Sequence, residues 1–303
     1  MAASLYIISM KKNGKKMSRG RRVFSFVGKV CLALVIFPFA FVALYMVYPN
    51  VGKLRDHDPE KTSFMRFRER EWKKDGKSRE INKTWVPLSR ISSHAVLAVT
   101  ISEDDKFWTH DGFDIEGIRA AAEKNLKQKK LRYGGSTISQ QLAKNLYLTP
   151  DKNVLRKVKE TILTWRIEHT LSKKRIIELY LNVAEWGDGI FGIEAASRAY
   201  FHRSAASLSA EQAARLAAVL PNPRRYRADA QSGYIVRRSG HILSIMARRG
   251  VATEMLDEIM RDGETADKPT STQPDSSAAG PESPATETPE PSDAPADSIP
   301  PDN

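Results

Sequence analysis

The sequence predicts a mainly α-helical protein in which one N-terminal transmembrane helix precedes an α-helical domain. Two observations favour this fold class: an uncharged apolar run over residues 30–48, and apolar residues at helical spacing almost without interruption after Ile91. No convincing set of alternating strands is visible. The predicted parts are a basic N-terminus (1–29), the transmembrane helix (30–48), a juxtamembrane connector (49–88), the helical domain (89–262) and an acidic tail (263–303).

Charge is unevenly distributed along the 303 residues, whose formal net charge is +12. Residues 1–48 hold eight Lys or Arg and no acid, whereas residues 263–303 hold nine acids and one Lys. Because the charges of the two ends cancel, the middle of the chain carries the net positive charge. Such a charge suits an anionic partner, whether phosphate, nucleic acid or a membrane surface. A nucleic acid is disfavoured, since the basic domain is expected across the membrane from the chromosome and no recognition motif is present.

The apolar run is long enough to cross a bilayer, because a hydrocarbon core of about 30 Å needs about 20 helical residues. A cleaved signal peptide is the alternative, but the run is long for such a segment and no small-residue cleavage site follows Tyr48. The basic residues before the run predict a cytoplasmic N-terminus and a domain outside. The single cysteine, Cys31, lies inside the run, so neither a disulfide framework nor a cysteine metal site is expected.

Segments on either side of the domain differ in composition from it. The connector mixes aromatic and basic residues, which suits either the membrane interface or a link packed on the domain. Within the domain, Ser172, Ser209 and Ser232 are candidate helix N-caps, the second of them in a capping box. The tail holds nine prolines and no aromatic residue, so we expect disorder and no catalytic role.

An acidic triplet, Glu103-Asp104-Asp105, ends the apolar segment that begins at Ala95. Mutual repulsion and partial desolvation favour proton uptake by one such carboxylate near neutral pH. Glu103 is nearest the apolar segment and is therefore the candidate general base. The alternative is a helix end that runs into a solvated acidic turn, since charge runs usually face water.

A Gly-Gly turn opens the next polar helix, over residues 134–145. Ser136 is the expected N-cap, and free amides at such a helix start can bind an anion. Gln140 and Lys144 are one turn apart and should share a face. A capped structural helix is the alternative, although it leaves the polar set Gln140, Gln141, Lys144 and Asn145 unexplained.

A third polar group, residues 156–160, begins a further helix. Arg156 and Glu160 could form a surface ion pair that contributes only about 0.3 to 0.5 kcal/mol. In a diphosphate site, Arg156 and Lys159 would instead offset the charge of the leaving group. The histidines show no paired spacing, so no metal site held by the protein is predicted.

Together these blocks resemble the peptidoglycan glycosyltransferase family, and most closely its monofunctional biosynthetic peptidoglycan transglycosylases. Glu103, Asp104, Phe107, His110 and Gly112 match the first family motif, and the second, third and fourth motifs match residues 134–145, 156–160 and 173–182. Residues 182–192 and 220–226 also resemble the monofunctional branch. Departures are Ser139 for Thr, Ile177 for Leu and Lys152 for Arg, the last of which loses bidentate phosphate geometry. The resemblance covers about residues 85–250.

The resemblance implies a lysozyme-like α-helical glycosyltransferase domain that acts on lipid II and the growing glycan chain at the outer face of the bacterial inner membrane. Glu103 and Glu160 are expected to be catalytic, the second by orienting the cations or a Mg²⁺ or Mn²⁺ ion; no organic cofactor is expected. Expected substrate-binding residues are Asp104, Phe107, His110, Gly134, Gly135, Ser136, Thr137, Gln140, Gln141, Lys144, Asn145, Arg156 and Lys159. Other cell-wall synthesis proteins are expected as partners.

Two other functions stay open on the sequence. A lytic transglycosylase or muramidase would cut the same glycans with one glutamate, although it has no use for a diphosphate site. A non-catalytic, membrane-anchored cell-wall scaffold is the alternative from another functional class. A bifunctional penicillin-binding protein is excluded, because the only Ser-x-x-Lys, Ser9 to Lys12, lies on the cytoplasmic side and no Lys-Thr-Gly follows.

Overall fold

The computed structural model of the chain describes residues 19–128, 134–151 and 153–250. Three sequence predictions fall outside these ranges: the acidic tail, Lys152 and the first 18 residues of the basic N-terminus. Residues 251–262 of the predicted domain lie outside them too.

Helix α1 (Arg19–Val47) contains the predicted transmembrane run except for its last residue, Tyr48. By length and composition, residues Phe26–Arg55 form a candidate membrane span. The large apolar side chains of α1 are mostly exposed, as a helix that faces lipid requires. Its C-terminal end touches the domain, where both guanidinium Nη atoms of Arg166 donate to carbonyls of α1.

Nine further α-helices lie in the described ranges, so the prediction of a mainly α-helical fold is confirmed. They are α2 (Ser63–Lys74), α3 (Ser93–Glu103), α4 (Ile115–Gln128), α5 (Ile138–Tyr147), α6 (Val154–Thr170), α7 (Lys173–Val183), α8 (Ile193–Phe201), α9 (Ala210–Val219) and α10 (Gly233–Arg248). Short 3₁₀ helices cover Val51–Arg55, Leu88–Arg90 and Ala205–Ser207.

A small sheet, which the sequence did not reveal, joins the connector to the domain. Strand β1 (Asn82–Lys83) pairs in parallel with β3 (Ile190–Phe191), with Asn82 opposite Ile190 and Lys83 opposite Phe191. Strand β2 (Glu185–Gly187) pairs antiparallel with β3. Strands this short hold too few residues to show an alternating pattern, which explains why they escaped prediction.

The core forms around α3, which packs against α9 and α10, while α5 packs against α6 and α7. Residues 95–100 of α3 are all buried, because residues 95–99 are apolar and the Thr100 hydroxyl is satisfied by carbonyls of its own helix. Each fully buried Leu, Ile or Val contributes about 1.5 to 3 kcal/mol relative to an exposed one. The helix that ends at Glu103 is therefore held rigidly at the centre of the domain.

The N-caps predicted at Ser172, Ser209 and Ser232 are all present. Each serine hydroxyl accepts a hydrogen bond from the backbone amide three residues later, and Ser209 and Gln212 form a full capping box. Such a cap contributes about 1 kcal/mol to helix stability. These caps fix where α7, α9 and α10 begin.

The connector is folded onto the domain, which agrees with the second of the two interpretations of its composition. Met65 and Trp72 of α2 are fully buried, and α2 packs against α5. Arg68, on the same helix, forms an ion pair with Glu185 of β2. Residues predicted as a link therefore form one wall of the domain.

Candidate active site

Glu103 is the last residue of α3, and its side chain is only 11% exposed. Gln141 Nε2 donates to its Oε2 over 2.9 Å. Its Oε1 accepts from Ser102 Oγ over 3.2 Å and lies 3.7 Å from Arg238 Nη2. The carboxylate is thus held on both oxygens at the edge of the core, which is not the position of a solvated acidic turn.

The next residue, Asp104, binds protein groups. Its carboxylate, 2% exposed, accepts from His110 Nε2 at 2.8 Å and from the Ile138 amide at 2.9 Å. The Gly112 amide donates to His110 Nδ1 over 3.0 Å, so Nε2 carries the proton that Asp104 accepts. Phe107 is fully buried and packs edge-on against the His110 ring. These positions favour a supporting role, and direct substrate contact by Asp104, Phe107 and His110 stays a prediction.

Gly112 closes this turn at a positive φ of 93°. An added Cβ would lie 2.8 Å from Glu168 Cγ and 3.0 Å from Thr164 Cγ2, so α6 leaves no room for a side chain. The carbonyl of Gly112 accepts from Thr137 Oγ1 over 2.7 Å. Gly112 of the first motif therefore packs against α6, and it is hydrogen-bonded to Thr137 of the second motif at the start of α5.

The N-cap predicted at Ser136 is wrong by one residue, because Thr137 caps α5. Thr137 Oγ1 accepts from the Gln140 amide, and Gln140 Oε1 accepts from the Thr137 amide. The Thr-x-x-Gln capping-box pattern at 137–140 could have revealed this. The Ile138 amide binds Asp104, so the protein's own carboxylate takes the place expected for an external anion.

The Gly-Gly turn before this cap lies close to α4. A Cβ on Gly135 would come within 2.9 Å of the Ile118 Cα, whereas Gly134 has open space around it. Gly134 and Ser136 are exposed. The turn is thus accessible, although it does not supply the helix cap.

Gln141, rather than Gln140, shares the polar face of Lys144, because Gln140 turns back to the cap. Gln141, Lys144 and Asn145 line a cavity of about 240 Å³. Gln141 also accepts from the buried Tyr180 hydroxyl over 3.0 Å. The cavity is closed on other sides by residues from α2, from α7 and its C-cap, from β2 and from the loop after α9: Phe64, Arg68, Tyr180, Ala184, Glu185, Leu220, Pro221, Asn222, Pro223 and Arg224.

Lys144 lies within electrostatic reach of both predicted catalytic glutamates. Burial lowers the pKa of its ammonium group, while the negative charges of Glu160 and Glu103 oppose that shift. The positive charges of Arg156 and Lys157 lower the pKa further. One lysine of α5 therefore connects the Glu103 region electrostatically to the third motif on α6.

Glu160 is buried, with a side chain 4% exposed, so its bond with Arg156 is not the surface pair considered above. Arg156 Nη1 lies 2.5 Å from Glu160 Oε2, and Lys157 Nζ bonds to Oε1. Arg156 Nε is buried without a hydrogen-bond partner among the described residues. We name Glu160, Arg156, Lys157 and Lys144 the cationic cluster.

Lys159 lies elsewhere. Its ammonium group is 5.1 Å from the Tyr45 ring centroid and 5.7 Å from that of Phe41, both on α1. Lys157, three residues before Glu160, stands where Lys159 was expected, and its i,i+3 spacing was the signal available in the sequence. A diphosphate contact by Lys159 stays a prediction.

Sequence reasoning missed three site residues that are distant along the chain. Arg68 makes a two-pronged ion pair with Glu185 at the cavity wall, with contacts of 2.8 to 3.1 Å. Burial raises the pKa of the Glu185 carboxyl, and Arg68 opposes that shift. Arg238 of α10 lies beside Glu103. No motif or spacing marked these residues, because only the fold brings them to the site.

The arrangement suits proton abstraction beside an anionic leaving group. A partly buried, fixed carboxylate can act as a base, and the cationic cluster can stabilise negative charge that develops nearby. Among the described residues, no group of three His, Cys, Asp or Glu could hold a metal ion. Both Glu160 oxygens are already engaged by Arg156 and Lys157, so this donor set does not fit a metal held by Glu160.

Comparison with known proteins agrees with this chemistry. The family model described as Transglycosylase matches residues 70–247. A protein of Dechloromonas aromatica is 50% identical over 189 residues, covering 62% of this chain and 82% of its own. One of Methylobacillus flagellatus is 48% identical (69% and 90% covered), and one of Aromatoleum aromaticum is 47% identical (75% and 96% covered). All three are named biosynthetic peptidoglycan transglycosylase.

Proposed function

The chain belongs to the transglycosylase family, among the biosynthetic peptidoglycan transglycosylases, and from that premise we propose how it polymerises glycan strands from lipid II. It is a peptidoglycan glycosyltransferase with a mainly α, lysozyme-like domain. Its substrates in this proposal are lipid II, which carries a disaccharide-pentapeptide on undecaprenyl diphosphate, and the growing glycan chain.

In the proposed reaction, Glu103 removes the proton from the 4-hydroxyl of the acceptor GlcNAc. The oxygen then forms a bond to C1 of the donor MurNAc, while the bond from C1 to the diphosphate oxygen breaks and its electron pair leaves with undecaprenyl diphosphate. One displacement inverts the α-linkage into a β-1,4 bond. The diphosphate is a good leaving group, so no second carboxylic acid is needed to protonate it.

The observation that carries this proposal is the position of Lys144 within reach of both Glu103 and Glu160. A base on one side and cations on the other let the acceptor hydroxyl and the donor diphosphate bind around a single reacting carbon. Arg156 and Lys157 would add charge for the diphosphate, and Glu160 holds both of them in place. Gln141 and Asn145 offer amide groups to the sugars from the cavity wall.

No step of this reaction passes through a metal ion, because Glu160 already has two cationic partners. The Mg²⁺ or Mn²⁺ ion expected from the sequence, and the expectation of no organic cofactor, stay predictions.

Helix α1 is consistent with a membrane anchor. We place the protein in the bacterial inner membrane as a single-pass protein with a cytoplasmic N-terminus and an external catalytic domain, because the residues before α1 are basic. Anchoring would confine the enzyme to the surface that holds its substrate. Binding to other cell-wall synthesis proteins stays a prediction.

The test is polymerisation of labelled lipid II by the purified full-length protein in detergent micelles, read as a ladder of glycan chains on a gel. Glu103→Gln should abolish the ladder, whereas Glu211→Gln, on the exposed side of α9, should keep the wild-type rate. A Glu103→Gln variant with wild-type activity would overturn the assignment of the base. Pre-formed glycan strands that are shortened by the wild-type protein would favour the lytic alternative, and neither activity would favour the scaffold.

A further inference from the structure

Arg238 has no part in the reaction proposed above, yet it lies beside the proposed base. It belongs to α10, and its side chain is 34% exposed. Its Nη2 atom donates to Ser102 Oγ over 3.0 Å and lies 3.7 Å from Glu103 Oε1. Among the described residues, it is the one cation within 4 Å of the Glu103 carboxylate.

Ser102 connects the two residues. Its hydroxyl accepts from Arg238 and has two possible acceptors for its one proton, Glu103 Oε1 at 3.2 Å and the Ala217 carbonyl oxygen at 3.4 Å. The carboxylate is the nearer and the charged one, so the three groups form a chain of hydrogen bonds that runs from cation to carboxylate. Such chains polarise each bond in the same direction. Gln141 holds the other carboxylate oxygen, which leaves little freedom for the Glu103 side chain to rotate.

The guanidinium group is not fully used by the protein. Arg238 Nε is buried and has no hydrogen-bond partner among the described residues. Because α10 packs against both α3 and α9, the guanidinium is carried to Glu103 by a rigid helix. At the C-terminal end of α10, Arg249 binds Asp105 with contacts of 2.6 and 2.9 Å, which adds a surface contact between that helix and the acidic triplet.

Other titratable groups that interact with Glu103 lie on α5, α7 and α10. Lys144 reaches it from α5, the buried Tyr180 hydroxyl from α7, and Tyr234 from α10. Asp104 follows Glu103 at the end of α3 and binds His110. Lys144 is shared with Glu160, so Arg238 is the cation dedicated to the Glu103 carboxylate.

We propose that Arg238 is a positioning residue for the glycosyl transfer: through Ser102 it orients the Glu103 carboxylate so that it meets the acceptor hydroxyl. The inference rests on the proposed function of Glu103. It assigns α10 a role in the chemistry, beyond its packing against α3 and α9.

The experiment measures kcat and KM for lipid II polymerisation with full-length Arg238→Met, Arg238→Lys and Ser102→Ala. The matched control is Arg237→Met, on the exposed neighbour in the same helix. Loss of the guanidinium should lower kcat about 10-fold or more and leave KM nearly unchanged, because the base is misplaced while no contact to substrate is removed. Arg238→Lys should restore part of the lost kcat, since it keeps the charge but not the planar fork.

An Arg238→Met variant whose kcat matches that of the control, or one that loses KM and kcat alike, would overturn the inference. Ser102→Ala should lower kcat by a smaller factor, again with KM nearly unchanged, and it decides the matter if Arg238→Met fails to fold. Failure of the proposed function looks different: the wild-type protein would make no glycan, or Glu103→Gln would keep full activity.

Discussion

Gln141 donates from Nε2 to Glu103 Oε2 over 2.9 Å, so an amide of the second motif holds the carboxylate of the first. The same side chain accepts from Tyr180 through its carbonyl oxygen, which fixes the orientation of the amide. A base held this way needs no reorganisation when the acceptor sugar binds.

We therefore predict that Gln141→Ala lowers kcat about 10- to 100-fold, because a hydrogen bond to a charged group is typically worth about 1.5 to 3 kcal/mol. Tyr180→Phe, which removes only the hydroxyl that orients the amide, should have a smaller effect. Initial rates of lipid II polymerisation measure both. A Gln141→Ala variant within twofold of the wild-type kcat would show that Glu103 needs no support from α5.

Asp104 is predicted to matter for stability. Asp104→Ala would leave the Ile138 amide and the His110 ring without their partner inside the protein, and we expect a loss of about 2 to 4 kcal/mol in the free energy of unfolding. The matched control is Asp105→Asn, whose side chain is 53% exposed and binds Arg249 at the surface. It should cost less than about 1 kcal/mol. Thermal unfolding of the two variants in the same detergent makes the comparison, and equal losses would contradict a supporting role for Asp104.

We predict that the buried Lys144 side chain lowers the free energy of unfolding and that polymerisation requires it. Burial lowers the pKa of its ammonium group below 10.5, so the folded state disfavours the charge. Lys144→Met should lose polymerisation yet unfold at the same or a higher temperature than the wild-type protein. Below the folded pKa the penalty for the charge is fully present, and it is relieved as the pH rises toward 10.5, so the stability gap between variant and wild type should narrow with rising pH.

The same lysine should give an alkaline limb to the activity profile. Polymerisation should fall as the pH rises through the lowered pKa of Lys144, because the neutral amine no longer attracts the diphosphate. Arg stays protonated in this range, so Lys144→Arg should remove that limb, even if its activity at neutral pH is lower. An unchanged alkaline limb in Lys144→Arg would assign it to another group.

Arg166 is predicted to fix the end of the membrane helix. It donates to the carbonyls of Tyr45 and Val47 over 2.9 and 3.0 Å. Arg166→Met should speed amide hydrogen exchange about 10-fold or more over residues 44–55, measured by mass spectrometry on protein in lipid nanodiscs. Arg70→Met, on the exposed side of α2, is the control and should leave that exchange unchanged. Equal exchange in both variants would show that α1 is held by other contacts.

Local features of this fold could be predicted from the sequence, because each depends on residues a few positions apart. Ser172, Ser209 and Ser232 cap helices where their spacing predicts, and the Arg156–Glu160 pair forms at its i,i+4 spacing. The cap of α5 is the exception: Ser136 was predicted and Thr137 is observed, although Gln140, three residues after Thr137, is the local signal for a capping box.

Tertiary features could not be predicted this way. Spacing alone does not show that Glu160 is buried, nor that Lys159 turns toward α1 while Lys157 joins the cationic cluster. Arg238 lies 135 positions after Glu103, and no local rule links residues that far apart. Strand β1 exists because the connector meets β3, a segment far along the chain. Strands β2 and β3 are neighbours in the chain, but they are too short to carry an alternating pattern.

Two neighbouring residues of α6 contact different parts of the protein. Lys159 lies against the aromatic rings of α1, and Glu160 binds cations of the site. A helix rises only about 1.5 Å per residue, so the depth of the anchor in the bilayer and the height of the cationic cluster are set by the same helical turn. The position of the anchor and the position of the cationic cluster are therefore coupled through α6. A change in bilayer thickness that lifts or sinks the anchor would displace the cluster with it, relative to the phosphates of a lipid that floats independently.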